Sequence, residues 1–424
     1  MTLVDAPSLI QPSCGVDGER FHRARKATLA TVMLLYLFYY TGRQTFGFAI
    51  PGMMEELNLT KSQLGWCGAL MLWSYALGQA VNGQLADRFG GRKMMTAGGI
   101  LSVIFNWIVS FSSGVATIAT PWAANGLAQS MGWAPGSRIL SNWWDRQHRG
   151  IVYGSYVFAA GCASIIAFVM ATWVVDFGWR WIFRLPVLLL LVASVIFWFF
   201  VRDKPTDCGL PDLPEQEIDE PEQTEDDRAE TIRERYMVAL KSIPFLFACA
   251  SIGFQNLARY GLYVWVPVHF LGNDWKNSPD KWISVWLPVG MAVGALTNGW
   301  ISDRLLGGNR SKAAILFLLG AAACGAGMWF LPPGHFLIVP LLFLTGFFVF
   351  GPESAYWALC PDLLGRRHAG TGTGVMNFSA KLFAGIGEPM IGSMVDLSGQ
   401  TSVIFAVVAI SCTLAAGLMA VVKH

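Results

Sequence analysis

The chain has 424 residues, of which 54% are hydrophobic and 14% are charged, and its formal net charge is +2. A soluble globular domain has about a quarter of its residues charged, so this composition excludes an ordinary soluble protein. The charged residues cluster between apolar runs of about 20 residues, the length that crosses a 30 Å hydrocarbon core as a helix. We therefore expect an all-α integral membrane protein.

Apolar runs predict six membrane spans before a long polar segment and six after it. The first group is expected near 28–51, 63–85, 94–113, 117–140, 150–174 and 180–201. The second group is expected near 242–270, 281–302, 312–331, 336–358, 367–392 and 401–422. The chain then divides into an N-terminal tail (1–27), a six-helix half (28–201), an acidic, proline-punctuated linker (202–241) and a second six-helix half (242–424). This linker composition is typical of a flexible tether.

Lysine and arginine lie mainly in the tail and in alternate loops, which by the positive-inside rule places both termini in the cytoplasm. The start of the chain lacks the pattern of a cleaved secretory signal, and we expect a multi-pass protein of the plasma (inner) membrane. The eight cysteines are scattered, without the spacing of a metal site or a disulfide framework. We expect no metal, no cofactor and no nucleic-acid partner.

An internal repeat links two arginines. The segment GQLADRFGGRK at 83–93 returns as GWISDRLLGGNRSK at 299–312, and Arg43 and Arg259 are separated by the same number of residues as the aspartates of these segments. In two parallel repeats, the first helices of the halves face each other across the membrane midplane. An arginine at a helix centre costs about 2.5–3.5 kcal/mol, so a matched pair favours an anion clamp. The alternative is a structural role, with each arginine neutralised by a buried carboxylate or by helix-end carbonyls.

Guanidinium groups form paired hydrogen bonds with oxyanions, so two of them favour phosphate, sulfonate or carboxylate, and a dianionic phosphate matches both charges. Polar and aromatic residues accompany each arginine at helical spacing. The two trios are Tyr36, Tyr40 and Arg43, and Asn256, Arg259 and Tyr263. They predict a polar pocket between the first and seventh spans.

Several segments resemble the organophosphate:phosphate antiporters of the major facilitator superfamily, whose loop signature is similar to ADRFGGRK. They are YYTGRQTF, MGWAPGSRILSNWWDRQHRG, PTDCGL, RYGLYVW, GGNR and GTGTG, and the likeness runs from about residue 28 to 422. The resemblance implies twelve transmembrane helices in two six-helix halves that rock about a central site. It also implies that Arg43 and Arg259 bind phosphate and that Tyr36, Tyr40 and Tyr75 line the cavity.

The pocket departs from the glycerol 3-phosphate members of that family. Gln79 stands where they carry a lysine, and Ala159 aligns with a histidine. Lys381 adds a third cation, which we expect to pair with Glu353. Pairing with Glu388 is disfavoured because seven residues along one helix span about 10.5 Å. If Lys381 is unpaired, a substrate with a second anionic group is expected.

Other charged residues are expected to fasten neighbouring helix ends in one state of the transport cycle. These gating residues are Asp87, Arg88, Arg92, Asp303, Arg304, Arg310 and Arg138. For Arg138 the alternative is a charge at the mouth of the cavity.

The expected function is exchange of an organic phosphate for inorganic phosphate. In an empty site the arginines repel each other, and a bound oxyanion offsets that repulsion and permits the rocking step. No catalytic constellation is found in the sequence, so no enzyme activity is expected. One alternative is a proton-coupled symporter of a small organic anion with Glu353 or Glu388 as proton carrier. Another is a transporter-like sensor of phosphate esters. The expected partners are the anionic substrate, inorganic phosphate and the lipid bilayer, with the chain as a monomer.

Overall fold

The structure, a computed structural model, describes residues 16–144, 149–211, 232–272, 274–306, 309–332, 334–365 and 368–422. The greater part of the expected tail (1–15) and half of the expected linker (212–231) lie outside the described residues. Within the described ranges the secondary structure consists of α-helices and short 3₁₀ segments, with no β-strand. The all-helical expectation is confirmed for this part of the chain.

The helices before residue 212 form the N-terminal set. They are α1 (Val16–Tyr39), α2 (Phe46–Leu57), α3 (Lys61–Phe89), α4 (Gly91–Val109), α5 (Val115–Gln129), α6 (Trp133–Trp143), α7 (Arg149–Val174), α8 (Trp179–Arg184) and α9 (Pro186–Phe200). Short 3₁₀ segments lie at Tyr40–Gly42, Val175–Phe177 and Pro205–Cys208.

The helices after residue 231 form the C-terminal set. They are α10 (Ile232–Lys241), α11 (Ile243–Leu271), α12 (Trp286–Leu305), α13 (Arg310–Phe330), α14 (Ile338–Phe350), α15 (Glu353–Leu364), α16 (Ala369–Ser398) and α17 (Val403–Val421). A further 3₁₀ segment, Pro279–Val285, precedes α12.

Each expected span coincides with one helix or with two consecutive helices. The first, fourth, sixth and tenth spans are each divided in two, and α1 begins at Val16, earlier than the expected residue 28. By length and hydropathy alone, five helical stretches of the described chain are suited to cross a membrane. They are Phe158–Phe177, Trp179–Phe200, Arg310–Phe330, Ile338–Leu364 and Val403–Val421. The count of twelve crossings stays a prediction.

The two sets meet through three helix pairs: α3 with α16, α2 with α11, and α7 with α12. Glycines allow the backbones to approach closely, as small residues do in membrane bundles. A Cβ at Gly47 would lie 2.3 Å from the carbonyl oxygen of Val264, and one at Gly392 would lie 2.5 Å from that of Lys61. A buried apolar cluster that includes Phe48 and Leu262 continues across this contact. The N-terminal and C-terminal sets are therefore packed tightly in this state.

Polar contacts between the sets concentrate where α3 begins and α16 ends, which we call the closed end. Asp396 of α16 accepts hydrogen bonds from the backbone N–H groups of Lys61 and Ser62, at 3.2 and 2.8 Å. A carboxylate at a helix N-terminus is favourable because it meets unpaired N–H groups and the positive end of the helix dipole. Lys281 forms an ion pair with Asp176. Among ion pairs whose two residues are both described, those joining the two sets lie at this end.

Two glutamates at the end of α2 strengthen the closed end. Glu55 accepts a hydrogen bond from the indole N–H of Trp275 in the C-terminal set, at 2.6 Å. Glu56 accepts from Trp179 at 2.6 Å and from Arg180, both within the N-terminal set. The closed end therefore combines contacts between the sets with contacts that brace α2 against α8.

Candidate functional site

Arg43 lies at a break in the first expected span. The 3₁₀ segment Tyr40–Gly42 separates α1 from α2, and a Cβ at Gly42 would lie 2.7 Å from the side chains of both Gln129 and Ser102. The freed carbonyl of Gly42 accepts hydrogen bonds from the amides of Asn106 and Asn125, at 3.1 and 2.8 Å. Broken helices are tolerated at membrane depth when side chains satisfy the backbone in this way. Sequence reasoning missed this polar support, although its four residues lie within apolar spans.

The guanidinium of Arg43 is held by aromatic faces. It lies 4.0 Å from the ring centre of Tyr40 and 5.3 Å from that of Tyr75, within the range of cation–π attraction. Arg43 is half-buried, and no described carboxylate lies within ion-pair distance of it. Its charge is therefore available to an anion.

The expected pocket residue Tyr36 is buried in an aromatic cluster. Its ring centre is 5.7 Å from that of Tyr40 and 4.5 Å from that of Tyr156. Tyr156 stacks on Trp133 and donates a hydrogen bond to the carbonyl of Gly132 at 3.0 Å. Tyr156 and Trp133 were not predicted, because nothing in their spacing separates them from ordinary core aromatics. Together the cluster forms a buried wall beneath Tyr40.

Arg259 is 7% exposed on α11 and already has a carboxylate partner. Its Nη1 lies 3.2 Å from Oε1 of Glu353, at the start of α15, and its guanidinium lies 4.1 Å from the ring centre of Phe350. Its Nε, by contrast, is buried without a hydrogen-bond partner. Arg259 therefore has donor capacity beyond its ion pair.

Lys381 does not pair with Glu353, so that expectation is wrong. Its ammonium donates a 2.6 Å hydrogen bond to the hydroxyl of Tyr260 and lies 4.3 Å from that ring's centre. The reason is the register of the helices. Glu353 pairs with Arg259 on α11, whereas Lys381 on α16 contacts Tyr260, the next residue of α11. Tyr260 was not predicted, and its position directly after Arg259 was the available signal.

Two tyrosines bring the three cations into one region. The ring of Tyr75 lies 5.3 Å from Arg43 and 5.9 Å from Lys381, and the ring of Tyr260 lies 4.3 Å from Lys381 and 5.4 Å from Arg259. The repeat-related arginines and Lys381 thus surround neighbouring aromatic faces contributed by both sets. A cluster of cations with one carboxylate partner between them is suited chemically to an anion.

The remaining predicted pocket residues divide into two groups. Gln79 donates to the hydroxyl of Tyr75 at 3.0 Å and accepts a hydrogen bond from Asn377, so it joins the sets beside the cations. Tyr263 lies 3.3 Å from the hydroxyl of Ser164 and shares a cavity lining with Arg43. Asn256, in contrast, is fully buried, and its amide donates to Ile252 and to Gln255 on its own helix.

Glu388 of α16 is 2% exposed and lines the same small cavity as Arg43. Its Oε2 has no hydrogen-bond partner. Buried carboxylates are normally paired or hydrogen-bonded, because an isolated one is costly to bury. This group therefore calls for a functional explanation.

The predicted gating residues lie opposite the closed end, at what we call the basic end, where α3 and α12 finish. Arg92 donates to the carbonyl of Trp198 at 3.0 Å, and Arg310 forms a 2.6 Å ion pair with Asp362; each of these two contacts lies within one set. Arg88 and Arg304 lie exposed in the last turns of their helices. Arg138 lies half-buried on α6. The side chains of Asp87 and Asp303 lie outside the described residues.

The chain matches the Major Facilitator Superfamily over residues 32–388. The chain belongs to the major facilitator superfamily. A solved bacterial homologue of the human lysosomal transporter Spinster, in an inward-facing and unoccupied conformation, shares its fold with a TM-score of 0.74 and 13% identity over 94% of this chain and 95% of that one. The expected all-helical transporter fold is thereby confirmed.

Within this superfamily the chain is similar to curated transport and sensor proteins. A probable hexose phosphate transport protein of Chlamydia pneumoniae is 26% identical over 88% of this chain and 86% of its own length. The membrane sensor protein UhpC of Salmonella typhimurium is 26% identical over 99% of this chain and 96% of its own. These matches confirm the resemblance to the organophosphate:phosphate antiporter family and the expectation of a transport protein rather than an enzyme.

Proposed function

We propose that this protein exchanges an organic phosphate for inorganic phosphate by alternating access, with the oxyanion clamped by Arg43 and Arg259. The observation that carries the proposal is the gathering of three cations around Tyr75 and Tyr260, with Arg43 free of any described carboxylate partner. The phosphate-ester transport named for the Chlamydia relative supports the same class of substrate. Tyr40, Gln79 and Tyr263 then shape the pocket around the clamp, and the buried Tyr36 and Asn256 support it from behind.

The ion pair of Arg259 gives the clamp two settings. With the site empty, Glu353 offsets the charge of Arg259, which is costly to leave buried alone. An arriving phosphate meets Arg43 first and then competes with Glu353 for the guanidinium of Arg259, whose unpartnered Nε offers a second donor. The two arginines can then close on one oxyanion, since guanidinium binds phosphate through parallel hydrogen bonds.

The proposed topology is twelve crossings in two six-helix halves, 28–201 and 242–424, joined by the cytoplasmic linker and acting as a monomer. The protein lies in the plasma (inner) membrane in this proposal. The distribution of lysine and arginine places both termini in the cytoplasm. The closed end then faces outward in this proposal. The contacts at Asp396 and Lys281 act as the outer gate.

The basic end supplies the opposite gate in this proposal. Asp87 and Asp303 directly precede, in the repeated sequence segments, the arginines that finish α3 and α12. When the halves rock, these charges exchange partners and close the cytoplasmic side, while the outer contacts separate. Arg92 and Arg310 join neighbouring helices at this end, through Trp198 and Asp362, and Arg138 lies on α6 at the same end.

Two further functions each rest on one observation. A proton-coupled symporter of a small carboxylate, sulfonate or phosphonate is supported by Glu388, a buried carboxylate without a partner for its Oε2. A sensor of phosphate esters is supported by the name of the Salmonella relative. Uptake driven by a pH gradient without internal anion indicates symport, and binding without flux indicates a sensor.

The clamp is tested by phosphate binding to the purified protein, measured calorimetrically. Arg43→Lys keeps the charge but loses the paired hydrogen bonds, and we expect its phosphate affinity to fall by at least about tenfold. Arg23→Lys, at a fully solvated ion pair of α1, is the matched control and is expected to bind as the native protein does. Equal phosphate affinity in both variants would remove Arg43 from the site.

A further inference from the structure

Glu388 and Arg43 line the same small cavity. The cavity measures about 40 Å³, and we call it the inner niche. Its lining includes Arg43, Gly68, Tyr75, Tyr263 and Glu388. A water molecule needs about 10–15 Å³, so the inner niche accepts a group of one or a few non-hydrogen atoms.

The niche is shaped around the carboxylate. A Cβ added at Gly68 of α3 would lie 1.5 Å from Oε2 of Glu388, so the carboxylate occupies the space that any larger residue at this position would fill. Gly65, one turn earlier, meets the backbone of Glu388 in the same way, at 2.6 Å from its carbonyl oxygen. The absence of side chains on this face of α3 therefore lets Glu388 reach the cavity from the opposite set.

No described cation lies within ion-pair distance of Glu388, although Arg43 lines the same cavity. A buried ionised carboxylate needs a cation or several hydrogen-bond donors against it. The Oε2 atom of Glu388 has no hydrogen-bond partner among the described residues. A ligand in the inner niche, which both Arg43 and Glu388 line, could supply one.

The charges of the site indicate which ligand fits. Arg43, Arg259 and Lys381 carry three positive charges, and Glu353 and Glu388, when ionised, carry two negative charges. A ligand with a net charge of −1 balances them. A dianionic phosphate or phosphonate with one ammonium group has that charge, whereas a phosphoglycerate-like ligand with a second anionic group leaves an excess of negative charge beside Glu388.

We propose that Glu388 binds the ammonium group of a short zwitterionic phosphate or phosphonate whose oxyanion is held by Arg43 and Arg259. This inference rests on the proposed function and names the class of organic substrate. Because Arg43 and Glu388 line one small cavity, the link between the two charged groups of the ligand must be short.

The test compares two esters that differ in one group. O-Phosphoethanolamine and propyl phosphate have similar size, but the first ends in an ammonium and the second in a methyl group. Each is used to displace labelled inorganic phosphate from the native protein. We expect O-phosphoethanolamine to compete at least about tenfold more strongly, the size of one charge-assisted contact.

Two variants locate the source of that preference. In Glu388→Gln the ratio between the two esters is expected to fall to about one. In Gly68→Ala the added methyl group displaces the flexible carboxylate, and the ratio is expected to fall in the same direction. Glu19→Gln, on the exposed surface of α1, is the matched control and should keep the native ratio. If Glu388→Gln does not fold, the competition ratio of the two esters in the native protein and in Gly68→Ala still tests whether Glu388 binds the ammonium group.

Other outcomes separate this inference from the proposed function. If phosphate and both esters bind but the esters compete equally in the native protein, the role of Glu388 as an ammonium ligand is overturned and the phosphate clamp stands. If equal competition is accompanied by loss of pH-driven uptake of both esters in Glu388→Gln, Glu388 is a proton carrier. If neither phosphate nor either ester binds, the proposed function fails and this inference fails with it.

Discussion

Arg259 Nη1 lies 3.2 Å from Glu353 Oε1, whereas Arg43, its counterpart in the internal repeat, has no described carboxylate within ion-pair distance. The two arginines are matched in sequence but not in their electrostatic surroundings. In the proposed mechanism the two arginines therefore act in order. Arg43 attracts the anion, and Arg259 binds it only when the anion replaces Glu353. Each half of the clamp therefore predicts a different response to mutation.

Removing Glu353 should strengthen phosphate binding. Glu353→Gln leaves Arg259 without a competing carboxylate, and we expect phosphate to bind about tenfold more tightly, or about 1.4 kcal/mol. The protein without phosphate should be less stable, by no more than the about 3–5 kcal/mol seen when buried pairs are broken. Thermal unfolding across a phosphate series measures both effects. Weaker phosphate binding in this variant would mean that Glu353 shapes the site rather than competing for it.

Removing the charge of Lys381 should weaken phosphate binding. Lys381→Met keeps the chain length but deletes the ammonium that bonds Tyr260 and approaches Tyr75. We expect phosphate affinity to fall by about tenfold or more, the scale of a lost charge-assisted contact. Lys241→Met, at the exposed end of α10, serves as control in the same calorimetric titration. A Lys381 variant that binds as the control does would assign the lysine to packing.

Gly47 tests the contact between the two sets. In Gly47→Ala the new methyl group meets the backbone oxygen of Val264 at 2.3 Å, so α2 and α11 must separate. We expect a loss of about 1–3 kcal/mol from overpacking, seen as a lower melting temperature. Gly417→Ala is the control, since a Cβ there has no neighbour within 4 Å and alanine is the better helix former. Equal melting temperatures would show that α2 and α11 are not held this closely.

The stability of the protein should depend on pH through Glu56. This residue lies outside the predicted membrane span 28–51. Hydrogen bonds from Arg180, together with one from Trp179, hold the pKa of the Glu56 carboxyl below its usual value. Because the folded pKa is lowered, this contribution is complete above the unfolded pKa of about 4.3 and is lost as the pH falls through the folded pKa. The carboxylate is half-exposed, so the effect is at most about 1 kcal/mol.

The measurement is the melting temperature of the native protein and of Glu56→Gln from neutral pH down to about pH 3.5. The variant should lose less stability on acidification than the native protein. An identical decline in both would show that other carboxyl groups account for all of the acid sensitivity.

Much of the fold follows from the sequence, because the length of an apolar run decides whether it can cross a bilayer and the spacing of the repeat relates the two halves. The same repeat spacing matches Arg43 with Arg259. Helix breaks are harder to predict. At the 3₁₀ segment Tyr40–Gly42, the freed carbonyl of Gly42 is satisfied by Asn106 and Asn125, which lie far along the chain.

The partners of the buried charges depend on information that the sequence lacks. Glu353 and Glu388 are both recognisable as membrane carboxylates, but the rotation and register of α15 and α16 against α11 decide which cation each can reach. The same is true of Gly68, whose importance comes from the carboxylate that lies over it. Side-chain type identifies the participants, and helix packing assigns their partners.

The most direct test of the central claim is uptake of labelled phosphate into proteoliposomes that hold the purified protein, either loaded with unlabelled phosphate or left empty. The account predicts uptake only into loaded vesicles, inhibition by external phosphate esters, and loss of uptake in Arg43→Lys but not in Arg23→Lys. Equal uptake into empty and loaded vesicles, or full activity of Arg43→Lys, would contradict exchange through a two-arginine clamp.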